Sequence, residues 1–278
     1  MLDDLTPMFL GLASAFSWGS GDFVGGLASR RSNVLTTVII SQAAGLLALA
    51  LMGLFVGEKA PAATPLLWSA AAGLSGGMGV VVLYRALALG EMTVVAPVTG
   101  VVTASIPILA GAYIEGPPTW LQLSGFILAI AGVGLSTGFR RTSQGLASGL
   151  AAGTGFGLFL IFMGQVGEGY FFWPLTVSRA VTTATCTIIA LAIGAGVKTR
   201  PKILPLIVLG GLLDAGGSGF FLMARHAARL DVSAVLSSLY PMATVILAYL
   251  ILREKPTTPR TIGIILALAS IPLIRTSI

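Results

Sequence analysis

Three ionisable side chains, Asp22, Arg179 and Asp214, stand well inside long apolar runs of a 278-residue chain. A charge in such a segment is costly, so each one is a functional hypothesis by default. Ser14, Trp18 and Asp22 follow one another at i, i+4 and i+8 and therefore share one face of a helix. That column presents a hydroxyl, an aromatic face and a carboxylate, and Trp18 is the aromatic expected to stack on or close over a substrate. Asp214 is followed by Ser218 one turn on, with Phe221 beyond. The two acids could bind a substrate ammonium, a coupling proton, or both. The competing reading is that each acid is capped by nearby hydroxyls or an arginine and only fixes helix packing. Arg179 offers a planar fork suited to a substrate carboxylate. The favoured reading for it is structural, with Arg179 pairing with Glu168 or snorkelling to the headgroups beside Trp173.

Prolines mark a second set of candidates. Pro97 and Pro107 fall in a fourth apolar run and Pro241 in a ninth. Each removes a backbone donor and frees a carbonyl, which is tolerated at membrane depth where protein or a cavity satisfies it. Thr99 and Thr103 lie around the first pair; Ser237, Ser238, Tyr240 and Thr244 lie around the third. Paired broken helices in corresponding positions point to a solute site, with Tyr240 and Ser237 offering hydrogen bonds. The plainer reading is a static kink. Gly76-Gly77-Met78-Gly79 and Gly216-Gly217-Ser218-Gly219 read as seams of close helix approach. The second also resembles a serine nucleophile motif. The only histidine, His226, lies eight residues further along the same helix, about 12 Å away by helical rise, and cannot serve as its base. With no Walker A pattern and no metal-ligand spacing, no catalytic residue, cofactor or metal is expected. The single cysteine, Cys186, excludes an intrachain disulfide.

The elements that must position these residues follow from the scarcity of charge. The chain has 16 Lys and Arg and 10 Asp and Glu, 9% of its residues, against roughly 25% in an average soluble domain. Its hydrophobic share is 55% and its mean hydropathy +0.95. A cytosolic enzyme, a nucleic-acid binder and a disordered regulator are excluded on these grounds, because too few charges remain to cover a surface in water. The net charge of +6 sits in small clusters between apolar runs, as membrane proteins place it, so the expected partner is a lipid bilayer and not nucleic acid. Ten runs reach span length, at about 7–28, 33–56, 65–89, 92–113, 119–138, 145–167, 171–195, 203–226, 232–252 and 259–275. The start carries Asp3 and Asp4 in place of a basic region, so the first run is read as a retained helix. Arg30, Arg31, Arg85, Arg140, Arg141, Lys198, Arg200, Lys202, Arg253, Lys255 and Arg260 fall on one side of such a bundle. Only Lys59, Arg225, Arg229 and Arg275 fall on the other, which predicts both termini outside the cytoplasm.

The chain also resembles itself at an offset near 139. Gly11 to Gly19 aligns with Gly149 to Gly157; Gly76, Gly79, Arg85 and Glu91 match Gly216, Gly219, Arg225 and Asp231; Glu115-Gly116-Pro117-Pro118-Thr119 matches Glu254-Lys255-Pro256-Thr257. The expected architecture is all-α integral membrane, ten transmembrane helices as two inverted five-helix repeats (5+5), residues 1–139 and 140–278. Five is odd, so the halves enter the membrane in opposite directions, and the site is expected near the midplane between them.

With the small-residue first helix carrying Trp18-Gly19, the Tyr84-Arg85-Ala86-Leu87 end of the third helix and the Glu-x-Pro-x-Thr turns, the chain resembles the drug/metabolite transporter superfamily in its ten-helix EamA branch. The resemblance covers the whole chain. It implies a cavity lined by the first, third and fourth helices of each half, and transport of small metabolites, often outward. The resulting expectation is a secondary transporter in the cell (inner) membrane, moving a small organic solute by alternating access. An amino acid or amine is favoured by Trp18, Asp22, Asp214, Ser218, Ser237 and Tyr240, with a proton as a possible coupling ion. A monomer is compatible with all of this. The alternative is a non-transport membrane scaffold or lipid-interacting protein on the same fold.

Overall fold

The computed structural model describes residues 5–89, 92–137, 143–252 and 258–275. Among the described residues every regular element is a helix. In chain order these are α1 (Thr6–Ser29), α2 (Val34–Val56), α3 (Ala63–Ala88), α4 (Met92–Ile114), α5 (Trp120–Thr137), α6 (Ser143–Gly164), α7 (Phe172–Ala192), α8 (Leu204–Ala227), α9 (Leu230–Ser237), α10 (Tyr240–Leu252) and α11 (Thr258–Arg275). The residues at several ends explain why the helices start and stop there. Pro7 and Pro205 stand in the first turns of α1 and α8, where a missing N–H breaks no intrahelical bond. Asn33 caps α2, its Oδ1 accepting from the N–H of Leu35 at 2.9 Å and of Thr36 at 3.4 Å. Gly57, at φ 70°, turns the chain out of α2.

Helix occupies every apolar run expected from the sequence, with one difference in each of the two proline-bearing runs. The ninth is two helices, α9 and α10, broken at Ser238 and Leu239. Pro241 has no N–H to give the carbonyl four residues back, and its ring crowds that carbonyl. The turn closes instead through tighter bonds, Leu239 N–H to Leu236 O at 3.3 Å and Met242 N–H to Leu239 O at 2.9 Å. By contrast, α4 runs unbroken through positions 97 and 107, so the expectation of a matching broken helix at Pro97 and Pro107 is corrected. A proline deletes one rung, and α4 keeps its remaining ladder and its long packing face on α6. The repeat boundary expected at 139/140, together with Glu91, Arg140, Arg141, Arg253, Glu254, Lys255, Pro256 and Thr257, lies outside the described residues.

Among the described residues, six helical stretches are long and apolar enough to cross a membrane: Val34–Val56, Ala63–Ala86, Gly145–Gly164, Phe172–Ala192, Leu204–Ala227 and Leu230–Ile251. The last passes through the break between α9 and α10. Large apolar side chains such as Phe55, Leu109 and Leu191 point outward, which water would penalise and hydrocarbon does not.

The packing relates the two halves by an approximate two-fold exchange. The first helix of one half lies along the third of the other, α1 on α8 and α6 on α3. The second helices meet each other, α2 on α7, and so do the fifth, α5 on α11. The relation reaches single atoms. Gly73 of α3 lets the carbonyl of Ser178 in α7 approach to where a Cβ would stand, and Gly211 of α8 does the same for the carbonyl of Ser41 in α2. Close backbone approach of this kind is what glycine permits in membrane helices.

Candidate functional site

A cavity opens where α1, α2, α7 and α8 converge, with α3, α4, α6 and α10 completing its wall. It encloses about 560 Å³ of empty space, mouth included. Trp18 and Asp22 come from α1, Gln42 from α2, Thr103 from α4, Arg179 and Thr182 from α7, Asp214 and Ser218 from α8, and Tyr240 from the start of α10. Gly76, Gly77, Val80, Phe156, Phe159, Leu160 and Ser178 supply the rest of the lining.

The most constrained group is Arg179. Its guanidinium forms an ion pair with the Asp214 carboxylate through Nη1, which also donates to Gln42 Oε1 at 2.6 Å. Nη2 donates to Ser218 Oγ at 2.6 Å and to the Asp214 backbone oxygen at 3.0 Å. Gln42 Nε2 donates to Asp214 Oδ2 at 2.8 Å, closing a ring of three side chains. Gln42 and Arg179 are 137 residues apart and occupy matching positions in the second helix of each half. They meet because α2 and α7 cross near the exchange axis. Asp214 breaks the symmetry: the correspondence of Gly73 with Gly211 puts Gly76 at its matching place in α3, two residues off the pairing of Gly76 with Gly216 read from the sequence. The ring therefore balances one negative charge with one positive.

Asp22 has no such partner. It is half-buried, lines the cavity, and makes no hydrogen bond or ion pair among the described residues. Asp214 lies close enough to act on it electrostatically. With both acids ionised the cavity wall carries one uncompensated negative charge, and that charge is at Asp22.

Aromatic groups shape the rest. The Trp18 ring stacks on Phe221 at 6.0 Å between centroids and meets Phe159 edge-on at 6.1 Å. Its Nε1 donates to the Asp214 backbone oxygen at 3.2 Å, so the indole is held in place by the chain that carries the acid. Phe156 meets Tyr240 edge-on at 6.4 Å. The Tyr240 hydroxyl is buried near Thr103 and closes no hydrogen bond of ordinary geometry. A buried phenol without a partner carries a desolvation cost that a bound solute can relieve.

The structure brings Trp18, Asp22, Thr103, Arg179, Asp214, Ser218 and Tyr240 to one cavity. Three other candidates lie behind its wall. Ser14 Oγ donates to Gly217 O at 2.8 Å and Thr99 Oγ1 to Gly149 O at 3.4 Å, both holding helix seams. Ser237 is buried at the end of α9 with its hydroxyl unpartnered. Arg179 neither pairs with Glu168, which is exposed in the turn before α7, nor snorkels. Its donors are turned inward and engaged by Asp214, Gln42 and Ser218, so it is a fixed part of the wall, not a free receptor for a carboxylate. Sequence reasoning missed Gln42, Phe156, Phe159 and Thr182. Gln42 left a usable signal, as an amide inside an apolar run at the repeat position of Arg179. The phenylalanines left none, because one more apolar residue in an apolar helix is no signal.

The model of the EamA-like transporter family matches this chain twice, over residues 5–138 and 143–276. An uncharacterized protein of Methanocaldococcus jannaschii is 34% identical over 92 residues, which is 33% of this chain and 67% of that protein. A crystal structure with 14% sequence identity superposes with a TM-score of 0.77 over 96% of this chain and 95% of its own, a likeness of fold. The two repeats and the apolar helices make the chain a multi-pass membrane protein of transporter type.

Proposed function

Because the chain belongs to the EamA-like transporter family, we propose that it is a ten-helix secondary transporter built from two inverted five-helix repeats. It moves a small solute bearing an ammonium group, an amino acid or an amine. The observation that carries the solute class is the imbalance at the cavity wall, where Arg179 neutralises Asp214 and Asp22 is left unpaired. A cation completes that wall: either the ammonium of the solute or a proton that exchanges with it. The Trp18 and Phe156 faces suit the apolar part of such a solute, and the free Tyr240 hydroxyl and Thr103 suit its polar part. Alternating access follows if the halves rock about the contact of α2 with α7, which makes the Gln42–Arg179–Asp214 ring part of the pivot. The break before Pro241 sets Tyr240 at the junction of α9 and α10, where a change in tilt of either segment would carry its hydroxyl across the cavity. Outward movement and a site in the cell membrane are part of the same reading, on the strength of the whole-chain resemblance.

The decisive experiment replaces Asp22 by Asn. Liposomes containing the purified protein are loaded with labelled amino acids or amines, and efflux is followed with and without a pH gradient. The native protein moves at least one of these solutes. Asp22→Asn should lower that flux at least tenfold, or cut its link to the pH gradient, while the melting midpoint stays within about 2 °C, because Asp22 holds nothing together in the fold. Undiminished flux with unaltered pH response would remove Asp22 from the mechanism.

A further inference from the structure

Four cations line a pocket at one end of the bundle that shares no lining residue with the cavity. Arg30, Arg31, Ser32 and Asn33, between α1 and α2, face Lys198, Thr199 and Arg200, ahead of α8, across an open surface pocket. Ser32 Oγ donates to Thr199 Oγ1 at 3.1 Å and ties the two loops together. No carboxylate lines this pocket, and none of Arg30, Arg31, Lys198 and Arg200 forms an ion pair among the described residues. Four like charges held this close repel one another unless an anion joins them.

The two-fold exchange sets this end against one that carries a carboxylate of its own. At the opposite end, the loop after α2 meets the start of α7. There the backbone oxygen of Glu58 accepts from Trp173 Nε1 at 2.7 Å, and the Glu58 carboxylate accepts from the N–H of Phe171 at 2.9 Å and of Phe172 at 2.7 Å. The fold thus supplies its own carboxylate to a helix start. At the basic end, the loop after α7 meets the start of α2 in the same manner, with Gly196 O accepting from Thr36 Oγ1 at 3.5 Å. Gly196 has no side chain to offer, and a Cβ added there would meet nothing within 4 Å. Where one end carries the Glu58 carboxylate, the matching position at the basic end is Gly196, two residues before Lys198, and the start of α2 is capped by the neutral Asn33 Oδ1, so this end carries no carboxylate among its cations.

We propose that this pocket binds a phosphate-bearing anion, of the kind an acidic phospholipid headgroup presents. The pocket is built from the loops that join the end of α1 to the start of α2 and the end of α7 to the start of α8, which places it at the level where a bilayer presents its headgroups. Arginine forks match the geometry of phosphate oxygens, and a basic pocket between spanning helices on the Lys- and Arg-rich side suits an anionic lipid. Its openness suits a headgroup whose acyl chains remain among the exposed apolar side chains, Val197 and Leu204 beside it. The site bridges the first repeat and the second, so an occupant would tie the two together at that end. This inference stands apart from the transport reading and does not depend on what Asp22 binds.

The test uses the delipidated full-length protein in neutral detergent, with short-chain phosphatidylglycerol, short-chain phosphatidylcholine or inorganic phosphate added separately. Binding is read by native mass spectrometry and by the melting midpoint. Phosphatidylglycerol should bind saturably and raise the midpoint, and phosphatidylcholine should do neither. Neutralising Arg31, Lys198 and Arg200 together as Gln should weaken that binding about a hundredfold, at about fivefold per cation. Gly196→Glu has room for its Cβ and adds a carboxylate two residues from Lys198, beside the pocket. It should abolish the response to phosphatidylglycerol while the lipid-free midpoint stays at or above that of the native protein, so a folding defect and a filled site read differently. A saturable rise with inorganic phosphate alone would identify a free phosphate-bearing solute as the occupant. Equal responses to the two lipids, or a Gly196→Glu protein that keeps its preference for phosphatidylglycerol, would overturn the proposal.

Discussion

Removing both members of the Arg179–Asp214 pair should cost clearly less than the sum of removing each alone. Arg179 is 7% exposed at its side chain and Asp214 22%, so neither charge has enough water to fall back on. In Arg179→Gln the Asp214 carboxylate keeps only the amide of Gln42 as a charge-stabilising partner, at 2.8 Å, and Ser218 Oγ loses its 2.6 Å donor. Breaking a buried pair from one side costs about 3–5 kcal/mol, because the remaining charge is left uncompensated. At about 2–4 °C per kcal/mol for a chain of this size, the midpoint should fall on the order of 10 °C. Asp214→Asn strands the guanidinium and should do the same. The double variant Arg179→Gln/Asp214→Asn removes both charges and retains amides that can bond each other. Its loss should fall short of the sum of the single losses by about 2 kcal/mol, a coupling within the range of contacting residues. The assay is thermal unfolding of the four detergent-purified proteins under one buffer, followed by tryptophan emission. Single variants within about 2 °C of native, or a double variant that loses the full sum, would refute the claim that this pair is a closed ionic unit in the wall.

Two further expectations are simpler to test. Gly211→Ala drives a methyl into the Ser41 carbonyl and must push α8 off α2, one residue from Gln42, whereas Gly167→Ala meets open space. The first should lose about 1–3 kcal/mol and most of the flux, and the second should be neutral; equal behaviour of the two would show that the α2–α8 seam tolerates separation. The bias of Lys and Arg predicts a carboxyl end outside the cytoplasm. A reporter fused after Ile278 that functions only in the cytoplasm should be silent, and a signal from it would reverse the orientation.

The parts of this protein that were legible early are those that short-range physics writes into the chain. A spanning helix is announced by about 20 apolar residues in a row, whatever it packs against. The cost of charge in such a run singles out Asp22, Arg179 and Asp214 without any knowledge of the fold. The pairing of Arg179 was not legible, because Glu168 is near in sequence and Asp214 is near only in space. Likewise Pro107 and Pro241 look alike in a sequence, yet α4 continues through one and the ninth run breaks before the other. A lost rung can be absorbed where the helix is held along its length, as α4 is by α6.

The sequence by itself therefore determined the class of fold, the duplication and the few places where charge had to matter. The tertiary structure decided which of those charges is free. Intrinsically Asp22 and Asp214 are the same carboxylate in the same kind of helix. The crossing of α2 with α7 carries Gln42 and Arg179 onto Asp214 and leaves Asp22 facing the cavity alone. Charge pairing depends on distances of a few ångströms across elements far apart in the chain, and only packing sets those distances.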